Sequence, residues 1–166
     1  MNYTQKSIQR FDNARKNGSL DYSKLLKKLK KVKKKELDEI FHDLHKKEFE
    51  KISCLECARC CNDLGPLLLQ SDIDRMAKKI KVATSEFYRS YVEMDEDGDY
   101  IFNVHPCPFL MNDNYCSVYD SRPKACQEYP HTDRQKMVQI LEKTIKNAEF
   151  CPAVFNILEK LNQIQL

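Results

Sequence analysis

Four cysteines fall within eight residues, Cys54, Cys57, Cys60 and Cys61, in the run ISCLECARCCNDLGP. Thiols crowded this closely need a metal or an oxidant to hold them together, so this run constrains the fold more than any other part of the chain. Four more follow at Cys107, Cys116, Cys126 and Cys151, and the total of eight fills two four-thiolate sites with nothing left over. Metal is the favoured reading. Met1 is followed by NYTQKSIQR rather than by an apolar secretory leader, which points to a cytoplasmic protein, and a four-disulfide framework does not persist in that reducing compartment. No apolar run is long enough to span a bilayer, so no transmembrane segment is expected.

The spacing narrows the chemistry without choosing the metal. If the run is helical, Cys54, Cys57 and Cys61 share one stripe and Cys60 points aside, whereas a tight loop relaxes that constraint. Neighbouring residues such as Cys60 and Cys61 do not both reach one tetrahedral ion easily, which hints at two adjoining centres or at one of the pair being no ligand. Zinc takes closed sets of four N/S ligands with pairs two to four residues apart, and Cys54 with Cys57 meets that rule. An iron–sulfur cube accepts three closely spaced thiolates and a distant fourth, and Cys54, Cys57 and Cys60 match the opening of the ferredoxin run. Both Cys107 and Cys151 precede a proline, as the last ferredoxin cysteine does. Zinc or an iron–sulfur cluster is therefore the expected cofactor, with all eight cysteines as candidate ligands. His105 and His131 flank cysteine-bearing segments as secondary candidates, while His42 and His45 ride a helix far from any cysteine.

Periodicity predicts a mainly α fold. Residues 5–16 form a helix stopped at Asn17-Gly18, and Ser19 or Asp21 caps the next. Leu25, Leu29 and Val32, then Leu37, Ile40, Phe41 and Leu44, predict one long lysine-rich amphipathic helix over about residues 20–50, with a bend or break where the stripe skips from Val32 to Leu37. Ser71 opens a helix carrying Ile73, Met76, Ala77 and Ile80, and Thr84 or Ser85 opens another through Phe87 and Tyr91. A turn at Asp97-Gly98 feeds a strand at Tyr100–Val104, whose partner is sought in the next apolar segment. PCPFL and YCSVY read as a β-hairpin that brings Cys107 to Cys116. Helices near 133–147 and 152–164 end the chain, with Pro152 at a first helical position. The organisation expected is a basic helical arm over residues 1–52 and a compact cysteine-cluster domain over 53–166. Lys24 to Lys35 holds eight lysines and no acid, leaving the rest of the chain net acidic. That asymmetry makes an anionic partner such as nucleic acid a candidate, although no aromatics are interleaved for base stacking.

The order CxxCxxCC, LLLQSDIDRM, CPFL and CSVYDSRPKACQEYP resembles the YkgJ-type cysteine-cluster family, also described as a zinc- or iron-chelating CxxCxxCC domain. The likeness runs from about Cys54 to Cys151. It includes Tyr119, Arg122, Pro123, Tyr129 and Pro130, and it leaves the lysine-rich arm outside. It implies metal or iron–sulfur binding by these cysteines and says little about a reaction. Tyr119, Arg122 and Tyr129 read as packing around the metal site, with Arg122 paired to Asp120 or a helix carboxylate, in preference to a pocket for an acidic ligand. No Ser-His-Asp order, paired-carboxylate signature or phosphate loop is present, so no catalytic residue is assigned. The expected function is a metal-stabilised binding module with an unidentified protein partner; the alternatives are an iron–sulfur redox or catalytic protein and a nucleic-acid-associated protein.

Overall fold

A computed structural model of the chain describes residues 1–164. In order these residues form α1 (Tyr3–Lys16), α2 (Ser23–Leu29), α3 (Lys34–Phe49), α4 (Cys54–Cys57), α5 (Arg59–Asp63), α6 (Gln70–Ile80), α7 (Thr84–Tyr91), β1 (Val92–Met94), β2 (Tyr100–Phe102), α8 (Lys124–Glu128), α9 (Leu141–Asn147) and α10 (Pro152–Gln163). The chain is mainly helical with one small hairpin, as its periodicity predicts. It divides into two compact units, the first made of residues 1–57 with the chain from Pro130 onward, the second of Ala58–Tyr129. Among the described residues no helix is long and apolar enough to cross a membrane.

In the first unit, α1 begins with a reciprocal cap: Asn2 Oδ1 accepts the Gln5 amide at 2.9 Å and Gln5 Oε1 accepts the Asn2 amide at 3.3 Å. It ends at Asn17-Gly18, where Gly18 takes a left-handed φ of +64°. The stripe expected to run unbroken through residues 20–50 is two helices. Leu29 closes α2, and the amides of Lys31 and Val32 fold into tight turns on the carbonyls of Lys28 and Leu29 before α3 starts. Leu25 and Leu29 of α2 and Leu37, Phe41 and Leu44 of α3 then join Val154, Phe155, Ile157, Leu158 and Leu161 of α10 in one buried cluster. Each such side chain contributes about 1.5–3 kcal/mol on leaving water.

Glu48 continues that same stripe and is fully buried. Its carboxylate accepts hydrogen bonds from Tyr3 Oη (3.0 Å to each oxygen), Asn156 Nδ2 (2.7 Å) and Lys160 Nζ (2.6 Å). A buried carboxylate persists only when its charge and lone pairs are met in this way. Burial, aided by this bond to Glu48, pushes the Tyr3 phenol above its usual range. Earlier in α3, Asp38 accepts the amides of Lys136 and Met137 at 2.7 and 2.8 Å. His42 and His45 are joined to Arg134 O (2.9 Å) and Thr132 Oγ1 (2.8 Å), so both histidines hold a loop.

The second unit is built around α6. Ile73, Met76 and Ala77 pack with Leu68, Phe87, Val92, Phe102, Phe109 and Val118. No Ser71 cap starts this helix; Asp72 reaches back instead, its Oδ2 accepting the Leu69 amide at 3.1 Å. The strand at Tyr100–Phe102 pairs backward with β1 in antiparallel register, Val92 with Phe102 and Met94 with Tyr100. The reason lies in the turn, where Asp95 Oδ1 accepts the amides of Asp97 and Asp99 at 3.0 and 2.9 Å and Gly98 supplies a φ of +84°. The hairpin expected at PCPFL and YCSVY reduces to a single bridge between Leu110 and Cys116.

Candidate metal centre

The CxxCxxCC run is not one helix. α4 carries Cys54 and Cys57 three residues apart on one face, and Ala58 then takes a left-handed φ of 46°, ending that turn before α5 presents Cys60 and Cys61. The stripe shared by Cys54, Cys57 and Cys61 in a continuous helix therefore does not form. Ser53 braces α4, its amide donating to Thr4 Oγ1 at 2.9 Å.

In the first unit, Cys54 and Cys57 lie within electrostatic reach of Cys151, which caps α10 ahead of Pro152. The amides of Ala153 and Val154 are directed at the Cys151 sulfur, yet burial dominates and pushes that thiol up to about 12.

In the second unit the other five cysteines gather. The Cys107 amide donates to the Cys61 carbonyl at 2.9 Å, docking the CPFL segment on α5. His105, two residues earlier, packs its ring on Gly65, where a Cβ would lie 3.0 Å from Cε1, so this approach needs glycine. Cys107 and Cys116 each open a turn whose following amides point back at sulfur, from Phe109 and Leu110 for Cys107 and from Val118 for Cys116. Cys126 comes from α8. Burial raises Cys107 to about 11, Cys126 to about 12, and Cys116 above its usual value. Cys61 moves the other way, to about 7, through a hydrogen bond from Cys60 with help from the Arg122 guanidinium.

Arg122 is the charged member of this group. Its Cζ sits 3.8 Å from the Tyr119 ring centroid, and its Nε is buried with no hydrogen-bond partner. The ion pair expected with Asp120 does not form among the described residues. The backbone around Arg122 is held firmly: its carbonyl accepts Arg75 Nη2 and Gln127 Nε2, both at 2.8 Å. Asp72, only 1% exposed, binds Arg75 Nη2 at 2.6 Å and accepts the Lys124 amide at 3.1 Å, fixing the start of α8. The sequence signal for this role is the acid and arginine three residues apart on the helix.

None of the eight cysteines is joined in a disulfide; Cys54 is exposed and the rest are half-buried. Among the described residues no group of three or more His, Cys, Asp or Glu side chains is arranged to hold a metal ion as it stands. Protonated thiols gain nothing by converging, and closing either set on an ion at about 2.3 Å takes rotation of the cysteine side chains. The donor chemistry suits a thiophilic metal: sulfurs in two sets, backbone amides aimed at several of them, and a guanidinium beside the larger set.

A family model matches residues 53–152, more than half of the chain. The chain belongs to the CxxCxxCC family. That family is described as a "putative zinc- or iron-chelating domain", which attaches metal binding to the segment holding all eight cysteines. No curated protein and no solved structure matches the chain.

Proposed function

We propose that this CxxCxxCC protein is a metal–thiolate binding module. Zinc or an iron–sulfur cluster is held by Cys54, Cys57 and Cys151 in the first unit and by cysteines from Cys60, Cys61, Cys107, Cys116 and Cys126 in the second. The observation that carries the reading is the clustering of Cys61, Cys107, Cys116 and Cys126 in the second unit, three of them in the field of the Arg122 guanidinium, with backbone amides directed at Cys107 and Cys116. Metal ligation adds cross-links between segments far apart in sequence, which suits the small cores of both units. Burial keeps Cys107, Cys126 and Cys151 protonated at neutral pH in the absence of a cation, so uptake releases protons. Eight cysteines without a disulfide suit the reducing cytoplasm.

Metal analysis of anaerobically purified protein tests this reading. The expected result is stoichiometric zinc or iron with the thiols shielded from alkylation. Protein that is empty of both metals and keeps its fold with all thiols reactive refutes it. Brown material whose visible absorption is lost on oxidation identifies the iron–sulfur form and favours electron transfer or catalysis; colourless, zinc-replete protein identifies a structural module.

The lysine-rich segment favours a second role beside the first. All eight lysines of Lys24–Lys35 are exposed, and the ion pairs there, Lys30 to Glu142 and Lys35 to Glu39, engage two of them. Contact with nucleic-acid phosphates through these side chains predicts affinity that falls steeply with salt. Salt-independent binding, or binding unchanged when the lysines are replaced by glutamate, excludes this role.

A further inference from the structure

We propose that α1 is a positioning element for the first cysteine pair: Asn2 and Thr4 hold the α4 turn that carries Cys54 and Cys57, while Ser7 and Phe11 hold the helix that follows Cys151. The assignment deepens the metal-binding reading, and its consequence for metal affinity rests on that reading. It gives a role to a helix that lies before the segment matched by the family model.

The buried face of α1 is a short stripe, Thr4, Ser7 and Phe11, spaced as neighbours on one side of a helix. Two of the three are hydroxyls, and a hydroxyl is buried at little cost only where a partner meets it. Thr4 Oγ1 accepts the Ser53 amide at 2.9 Å, and Ser7 Oγ accepts Asn156 Nδ2 at 3.0 Å. The polar part of the stripe is therefore fitted to two particular donors, one at the start of the CxxC turn and one on α10.

The hold on α4 closes into a ring. Thr4 takes the Ser53 amide, Ser53 Oγ accepts the Glu56 amide at 3.4 Å, and Glu56 Oε2 accepts Asn2 Nδ2 at 2.7 Å. Ser53 and Glu56 bracket Cys54 in the chain, and Cys57 follows Glu56 directly. The turn depends on such outside support: α4 spans four residues and buries none of them, and a single helical turn does not sustain itself in water. At the other end of the stripe, the Cys151 carbonyl accepts the Phe155 amide at 3.0 Å in the first turn of α10, and the Phe155 ring meets the Phe11 ring edge-on with centroids 6.0 Å apart. One helix thus touches both the turn carrying Cys54 and Cys57 and the turn that starts at Cys151. Asn2 and Thr4 are positioning residues, acting on the cysteines through the backbone of α4.

The test is hydrogen exchange of the full chain, reduced and metal-free, read by mass spectrometry at residues 53–57 and, as a reference, in the later turns of α10. Thr4→Val keeps the shape and removes the acceptor, so exchange at 53–57 is expected to rise roughly tenfold while α10 stays protected, and Thr4→Ser is expected to match wild type. Asn2→Asp keeps the α1 cap but sets a carboxylate against Glu56; it is expected to speed exchange at 53–57, and combining it with Glu56→Gln, which again sets a donor against an acceptor, is expected to restore protection. Unchanged exchange at 53–57 in either single variant overturns the role of that residue. A rise of equal size in α10 overturns the proposal as well, because it reports general loosening rather than a hold on α4. Co²⁺ competition against a chromophoric chelator then reads the consequence: the thiolate-bound equivalent abolished by Cys151→Ser is expected to bind roughly tenfold more weakly in Thr4→Val than in Thr4→Ser, and equal affinity in the two overturns the link to metal. Wild-type protein with no thiolate-bound Co²⁺ refutes the metal-binding reading itself, a result distinct from the exchange measured without metal.

Discussion

Replacing Asp72 with alanine tests the claim that a side chain that is itself no metal ligand builds the larger cysteine set. Asp72 is 1% exposed and accepts three hydrogen bonds, from Arg75 Nη2 at 2.6 Å and from the amides of Leu69 and Lys124 at 3.1 Å. Hydrogen bonds to a charged group contribute about 1.5–3 kcal/mol each, which bounds the loss from above. Two of the donors recover water: the Arg75 side chain is 38% exposed and Leu69 is 43% exposed. The net cost is therefore about 3 kcal/mol, or roughly 6–12 °C in Tm for a chain of this size. Asp72→Asn keeps the shape and one acceptor oxygen but turns an amide toward Arg75, so it falls between alanine and wild type. Because Asp72 also sets the Lys124 amide and, through Arg75, the Arg122 carbonyl, both variants weaken metal retention at the second unit. Thermal unfolding by circular dichroism and chelator competition read the two effects. An Asp72→Ala protein within about 1 kcal/mol of wild type, well below the cost of a broken buried network, refutes the reasoning.

Glu48→Ala leaves Lys160 without its carboxylate and removes a bond from Asn156, which keeps Ser7 Oγ at 3.0 Å; the expected loss is about 3 kcal/mol, measured by urea unfolding, and Lys160→Met in the Glu48→Ala background recovers part of it. Burial holds the His45 imidazole below its ordinary range, so the unfolded chain binds the proton more tightly. Its contribution is present above about pH 6.5 and is lost as the pH falls through the folded value, and His45→Gln is expected to flatten the acid side of the Tm–pH profile. Cys151→Ser removes the half-buried sulfur at the start of α10, and mass spectrometry under native conditions is expected to show loss of metal from the Cys54 and Cys57 set with retention at the other.

Some of this architecture is open to direct reading. Asn17-Gly18, the apolar stripe of α6 and Pro152 each act within a few residues, and each marks a real boundary. The Lys30–Lys33 break was visible only as a skipped step in the stripe, because the tight turns there arise from backbone pairing that lysine neither favours nor forbids. Tyr100–Phe102 shows its alternation plainly, but the choice of partner was made by Asp95, whose side chain folds the preceding turn. Glu48 sits in register with Leu37, Phe41 and Leu44, a legible oddity whose meaning depends on Asn156 and Lys160 more than a hundred residues away. The cysteine arithmetic of four and four met a division at Ala58, a left-handed alanine that no propensity announces.

The core joining Phe11, Leu37 and Phe41 to Phe155 and Ile157 has an implication for synthesis on the ribosome. The N-terminal helices emerge first, yet their apolar faces have no lasting cover until α10 has been translated. Residues 58–129 contain every apolar residue of their own cluster and are free to settle earlier. The oldest part of the nascent polypeptide is thus among the last to become native, and the lysines lining it keep that waiting stretch in solution.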